Sequence, residues 1–133
     1  MGKEQLNLKL RLMLTFFILL TLAFPSQAYE RAKVLSIVDG DTVKVIYHKK
    51  EENIRLIGID APESWPNKKA VKDAQRAKSD IEIITSHGKE AKGFVKALVK
   101  PGEFLWIEFD ARTRDKYGRL LAYLYLTSGK MLN

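Results

Sequence analysis

The sequence predicts an α+β protein: a five-stranded antiparallel sheet or barrel accompanied by helices. Three observations carry the prediction. Residues 32–38, 43–47 and 53–59 are strand-patterned and follow one another across short polar turns, which makes a meander. Residues 67–100 switch to a helical period. Residues 104–109 and 120–126 return to strand pattern on either side of a charged loop. With 133 residues, 46% of them hydrophobic, the chain is sized for one globular domain.

Ahead of that domain, residues 1–28 read as a signal peptide. Lys3, Lys9 and Arg11 form a basic start, 12–24 is almost wholly apolar, and Ser26-Gln27-Ala28 puts small residues at the cleavage position. The apolar run falls short of the roughly 20 residues that a membrane span needs. The expected product is an exported protein, secreted or periplasmic, with no stable membrane association after cleavage. The formal charge is +7, and the sequence pI is about 9.6. The leader takes three bases and one acid from totals of 23 and 16, so the remainder keeps +5. A basic balance favours an anionic partner: nucleic acid, a membrane surface or another polyanion. The absence of cysteine excludes a disulfide framework and a thiolate zinc site.

The first strand, 32–38, is apolar. Asp39-Gly40 follows it as a hairpin turn, and Val43, Val45 and Tyr47 then alternate with Lys44, Ile46 and His48. Turn chemistry accounts for Asp39 but not for Asp41 and Thr42 beyond it. Residues 48–53 form a polar second turn. The stretch 53–63 begins as a strand, carries Arg55 in its middle and is stopped at Asp60-Ala61-Pro62-Glu63. Read alone, that is an ordinary strand and a proline turn. Proline nevertheless fixes the backbone just past Asp60, which can hold two acids in different directions.

In the helical region, Ala70, Ala74, Ala77, Ile81 and Ile84 form an apolar stripe, Gly88 interrupts, and Ala91, Phe94, Val95 and Leu98 continue it. Lys68, Lys69, Lys72, Arg76 and Lys78 make the first half basic, as a solvated face or a nucleic-acid contact. His87 has no second ligand at metal spacing and reads as surface. Pro101-Gly102 ends the region. Residues 112–118 are a charged loop between the last two strands, and 130–133 resemble the start of a further segment.

Phosphodiester cleavage needs a metal to neutralise and polarise phosphate, and hard oxygen ligands suit calcium. It also needs arginines to grip the phosphate as charge builds, and a carboxylate near the attacking water. Asp41 and Asp60 are candidate ligands, Arg55 and Arg119 candidate clamps, and Glu63 the candidate base. Arg55 and Asp60 are an odd number apart, so an unbroken strand would face them oppositely. Sharing a site requires a bend, and Gly58 is its natural place.

Four motifs, in order, resemble the thermonuclease (staphylococcal nuclease-like) family: Asp39-Gly40-Asp41-Thr42, Arg55-Leu56-Ile57-Gly58-Ile59-Asp60-Ala61-Pro62-Glu63, Gly88-Lys89-Glu90-Ala91 and Asp115-Lys116-Tyr117-Gly118-Arg119-Leu120-Leu121-Ala122-Tyr123. The resemblance implies an OB-type five-stranded barrel with helices over 29–133. It implies a calcium-dependent endonuclease cutting DNA and RNA at the P–O5′ bond and leaving 3′-phosphates. The metal ligands would be Asp41, Asp60 and the carbonyl of Ala61, which replaces a threonine. Arg55 and Arg119 would be the catalytic arginines and Glu63 the base. Lys116 and Tyr117 would touch the nucleotide, and Asp39 would support the metal through water. A monomer is expected.

The segment between Glu63 and Ala91 is longer than in the familiar member. The family also continues past the position of Asn133 into a C-terminal helical part, so the barrel is expected to lack it. Leu105, Ile107, Leu121 and Leu124 would then be partly exposed. A different class of function, a noncatalytic OB-fold module binding single-stranded nucleic acid, is the alternative. A basic surface protein for other polyanions would leave the acids unexplained.

Overall fold

The computed structural model describes residues 29–133, together with Gly2, Gln5, Arg11 and Met13. The expected leader otherwise lies outside the described residues. Among those described, no helix is long and apolar enough to cross a membrane.

Five strands close into a barrel: β1 (Glu30–Asp39), β2 (Thr42–Tyr47), β3 (Lys50–Leu56), β4 (Phe104–Arg114) and β5 (Leu120–Tyr125), in the order β1-β2-β3-β5-β4. Two helices, α1 (Lys68–Ala77) and α2 (Ile81–Leu98), lie between β3 and β4. Every pairing is antiparallel except the closing one, where β3 runs parallel to β5 with Arg55 beside Leu121. The helices lead the chain away from β3 and the β4–β5 hairpin brings it back, so the final strand meets β3 in the same direction. Local patterning is blind to that choice.

The alternating apolar residues turn inward. Val43, Ile54, Leu56, Leu105, Ile107 and Leu124 are at most 2% exposed, and Val95 and Val99 seal the interior from α2 and its end. This corrects the expected exposure of Leu105, Ile107 and Leu124. Closure of the barrel by the β3–β5 pair places them inside it, and only Leu121, on the outer face beside Arg55, is half-buried.

Other boundaries also move. The turn between β2 and β3 contains only His48 and Lys49, both at positive φ, as a twist-matched two-residue hairpin demands. His48 stacks on Tyr47 at 4.1 Å and pairs with Glu30 at 2.9 Å. Residues 50–53 therefore join β3 despite their charge, because Glu51 pairs with Lys44 and Glu52 takes a forked grip from Arg114 at 2.7 and 3.0 Å. That grip carries β4 on to Arg114, into the expected loop.

The helix break falls at Lys78-Ser79-Asp80 instead of Gly88. Lys78 adopts a left-handed conformation that caps α1, and α2 starts after Asp80. Gly88 stays inside α2 for a packing reason given below. Residues 126–133 fold back along β5: Met131 bridges to Tyr125, and the Asn133 amide donates to the carbonyls of Ile57 at 2.8 Å and Ala122 at 3.2 Å.

Candidate active site

β3 ends at Leu56, and Gly58 turns the chain at φ 81°. The bend brings Arg55 and Asp60 to one side, with Nη2 donating to Asp60 Oδ1 at 2.9 Å. Nη1 of the same guanidinium forms an ion pair with Asp41 Oδ2. That contact lacks hydrogen-bond geometry, so Nη1 is a buried side-chain donor without a hydrogen bond. Asp41 comes from the turn between β1 and β2. Its Oδ2 accepts from the Ala61 N–H at 2.8 Å, its Oδ1 from the Thr42 hydroxyl at 2.8 Å, and its carbonyl from the Leu56 N–H at 2.8 Å. Asp41 and Asp60 thus converge on one guanidinium, and Ala61 is tied to Asp41 through its N–H.

Glu63 is tied in from the other side. Its Oε2 accepts from the Asn67 amide at 2.6 Å, while Asn67 Oδ1 caps α1 by accepting from the Ala70 N–H at 2.9 Å. Lys69 reaches back from the first turn of α1 to the Ala61 carbonyl at 3.1 Å, Asp60 at 3.3 Å and Glu63 at 3.4 Å. Burial pulls the Lys69 ammonium down, but Asp60, Glu63 and Asp73 outweigh it and hold it above the usual lysine range.

Asp39 is buried and accepts from both the N–H (3.2 Å) and the hydroxyl (2.5 Å) of Ser64, so it anchors the backbone just after Glu63. Close packing completes the frame. A Cβ on Gly88 would fall onto the Glu63 carbonyl and 2.7 Å from the Ser64 nitrogen. One on Gly40 would come within 2.6 Å of the Ala91 Cβ and 2.9 Å of the Ala61 Cβ. The glycines of two motifs are contact points for the segment that carries the acids.

Arg119, Lys116 and Tyr117 are placed differently. They lie on the turn between β4 and β5, where Asp115 accepts from the backbone N–H groups of Tyr117 and Arg119, and from Arg119 Nε at 2.8 Å. Burial pushes the Asp115 carboxyl up, yet the Arg119 side chain and those two N–H groups hold it below the usual carboxylate range. Among the described residues, Arg119 forms its ion pair with Asp115 and none with the acids around Arg55. The β3–β5 register nevertheless puts Arg119 on the outer face that carries Arg55, two residues before Leu121. Tyr117 is 73% exposed, with the Lys116 ammonium 5.0 Å and the Arg119 guanidinium 5.6 Å from its ring.

The donor set fits a hard divalent cation. Two carboxylates and a carbonyl supply oxygen only, and cationic side chains already sit on those same oxygens. Among the described residues, no three acids or histidines cluster into a ready-made cage, so a cation between Asp41 and Asp60 would need the carbonyl as a third donor. Sequence reasoning missed Lys69, Asn67, Ser64 and Asp115 as parts of the site. Asn67 carried a local signal, as an asparagine at a helix start, and Asp115 opened one of the four motifs without being given a role.

The family model for staphylococcal nuclease homologues matches residues 53–133. Endonuclease YncB of Bacillus subtilis (strain 168) is 39% identical over 90 residues, covering 67% of this chain and 36% of that protein. Thermonuclease of Staphylococcus hyicus is 35% identical over 95 residues, covering 71% of this chain and 47% of that protein. The chain belongs to the staphylococcal nuclease family. It spans about a third to a half of the length of these two relatives.

Proposed function

We propose that this chain carries the catalytic centre of an exported, calcium-dependent endonuclease that hydrolyses phosphodiester bonds of DNA and RNA and leaves 3′-phosphates. The observation that carries the reading is the Arg55 guanidinium held between Asp41 and Asp60. A guanidinium held between two carboxylates presents a planar fork that can exchange them for phosphate oxygens. The family relatives named as endonuclease and thermonuclease support the activity. The basic balance supports a polyanionic substrate, and the composition of residues 1–28 supports export.

Asp41, Asp60 and the Ala61 carbonyl would hold calcium, which supplies charge neutralisation and polarisation of the phosphate when bound. Arg55 exchanges its carboxylate partners for phosphate oxygens and grips them as a planar fork. Glu63 accepts the proton of a water whose oxygen attacks phosphorus. The P–O5′ bond breaks, and the 5′-oxygen leaves and takes a proton from solvent water. Arg119 leaves Asp115 to meet the charge that builds on the equatorial oxygens. Lys116 and Tyr117 flank the bound nucleotide, Tyr117 with its exposed ring. The working unit is a monomer.

The test is DNA and RNA hydrolysis in a calcium chelator, then with calcium restored. Activity should vanish and return, and Asp41→Asn or Asp60→Asn should weaken the return. Full activity in chelator would refute the roles of both acids. Binding of single strands without hydrolysis under any condition would favour a noncatalytic module.

A further inference from the structure

Lys69 stands in the first turn of α1, where its ammonium meets oxygens of four residues. Three belong to the proposed site: the Ala61 carbonyl at 3.1 Å, Asp60 Oδ1 at 3.3 Å and Glu63 Oε1 at 3.4 Å. The fourth is Asp73 Oδ2 at 3.6 Å, one turn further along the same helix. The placement is built into the local structure. Asn67 caps α1 and at the same time donates to Glu63, and Ala70 is fully buried, so the first helical turn cannot drift from the acids. A groove of about 410 Å³, lined by Asp60, Ala61, Lys69, Asp73 and Arg76, gives the ammonium room to swing between Asp60 and Asp73.

We propose that Lys69 is an internal cation that competes with the metal for Asp60 and the Ala61 carbonyl, and thereby sets the metal affinity of the site. The inference rests on the metal reading above. An ammonium on these two oxygens occupies lone pairs that a divalent ion would use, and the two cations repel each other at that distance. Metal entry therefore favours release of Asp60 and the carbonyl by Lys69. Asp73, at i+4 and outside the ligand set, receives the ammonium. The bound site then keeps its neighbouring positive charge without having it on the metal ligands.

Calorimetric titration of the full chain with calcium chloride, without nucleic acid, tests this. Lys69→Gln and Lys69→Met should each bind calcium about tenfold more tightly than the unaltered chain. Lys68→Gln removes the same charge from the exposed neighbouring position, and should change affinity by no more than about twofold, because solvent screens it. Thermal melts without calcium check that the variants fold, and two different uncharged side chains guard against a packing artefact. If the Lys69 variants bind no more tightly than Lys68→Gln, the competition is refuted while the metal site stands. If none of the proteins binds calcium, the metal reading itself falls, and this inference with it.

Discussion

Gly88→Ala against Gly93→Ala separates packing from helix propensity on a single helix. In α2, an alanine in place of glycine is favoured by about 1 kcal/mol when nothing opposes it. Nothing lies within 4 Å of a Cβ built on Gly93, so Gly93→Ala should stabilise the fold by up to that amount. At Gly88 the new methyl would fall onto the Glu63 carbonyl and 2.7 Å from the Ser64 nitrogen, where ordinary contact begins at 3.4 Å. The Glu63–Ser64 backbone or α2 must move by at least about 0.7 Å, the difference between those two distances. Both neighbours are backbone, and Asp39 holds Ser64 in place, so the movement is resisted. Overpacking of this kind costs about 1–3 kcal/mol. The net result should be a loss of up to about 2 kcal/mol for Gly88→Ala, opposite in sign to Gly93→Ala. Denaturant unfolding measures both. Because the displaced residue is the proposed base, hydrolysis should fall by about a hundredfold, as a misplacement near 1 Å does. Equal stabilisation by the two substitutions, with hydrolysis unchanged, would refute the packing argument.

Glu63→Gln should lower turnover while leaving nucleotide affinity nearly unchanged, since the water is activated only during reaction; separate measurement of kcat and binding decides this. Arg119→Ala should cost about 3–4 kcal/mol of transition-state stabilisation in kcat/KM, and near wild-type rates would remove Arg119 from the mechanism. Arg55→Lys should hydrolyse poorly, because a single ammonium cannot span two partners as the guanidinium does. The Tyr47 hydroxyl is pushed up to about 12 by burial and by its hydrogen bond to Glu30. Its folded value lies above the unfolded value near 10, so its contribution is intact below pH 10 and is lost as pH rises towards 12. Tyr47→Phe should flatten that part of the alkaline unfolding curve, and an unchanged slope would show that the tyrosine does not titrate with unfolding.

Apolar or alternating runs broken by short polar turns placed the five strands in order, because a strand with a buried face carries its apolar residues locally. Asp39-Gly40 marked the first turn to within one residue: Asp39 closes β1 opposite Thr42, and the turn itself is Gly40-Asp41, which puts Asp41 in the turn and not beyond it. The parity of Arg55 and Asp60 was enough to require a bend, and Gly58 at φ 81° is where the structure makes it. These are local matters, decided within a few residues of chain. The parallel β3–β5 closure was not local, and it is what buries Leu105, Ile107 and Leu124. Glu51 and Glu52 read as turn residues until their partners Lys44 and Arg114 are brought beside them from other strands. Gly88 read as a helix break because low propensity is visible in sequence, whereas the Glu63 carbonyl that needs the space is not. Lys69 read as one more lysine on a basic helix. Only the tertiary fold sets its ammonium on the oxygens of Asp60 and Ala61, since a charge is defined by the partners within a few ångströms and those partners arrive from another element.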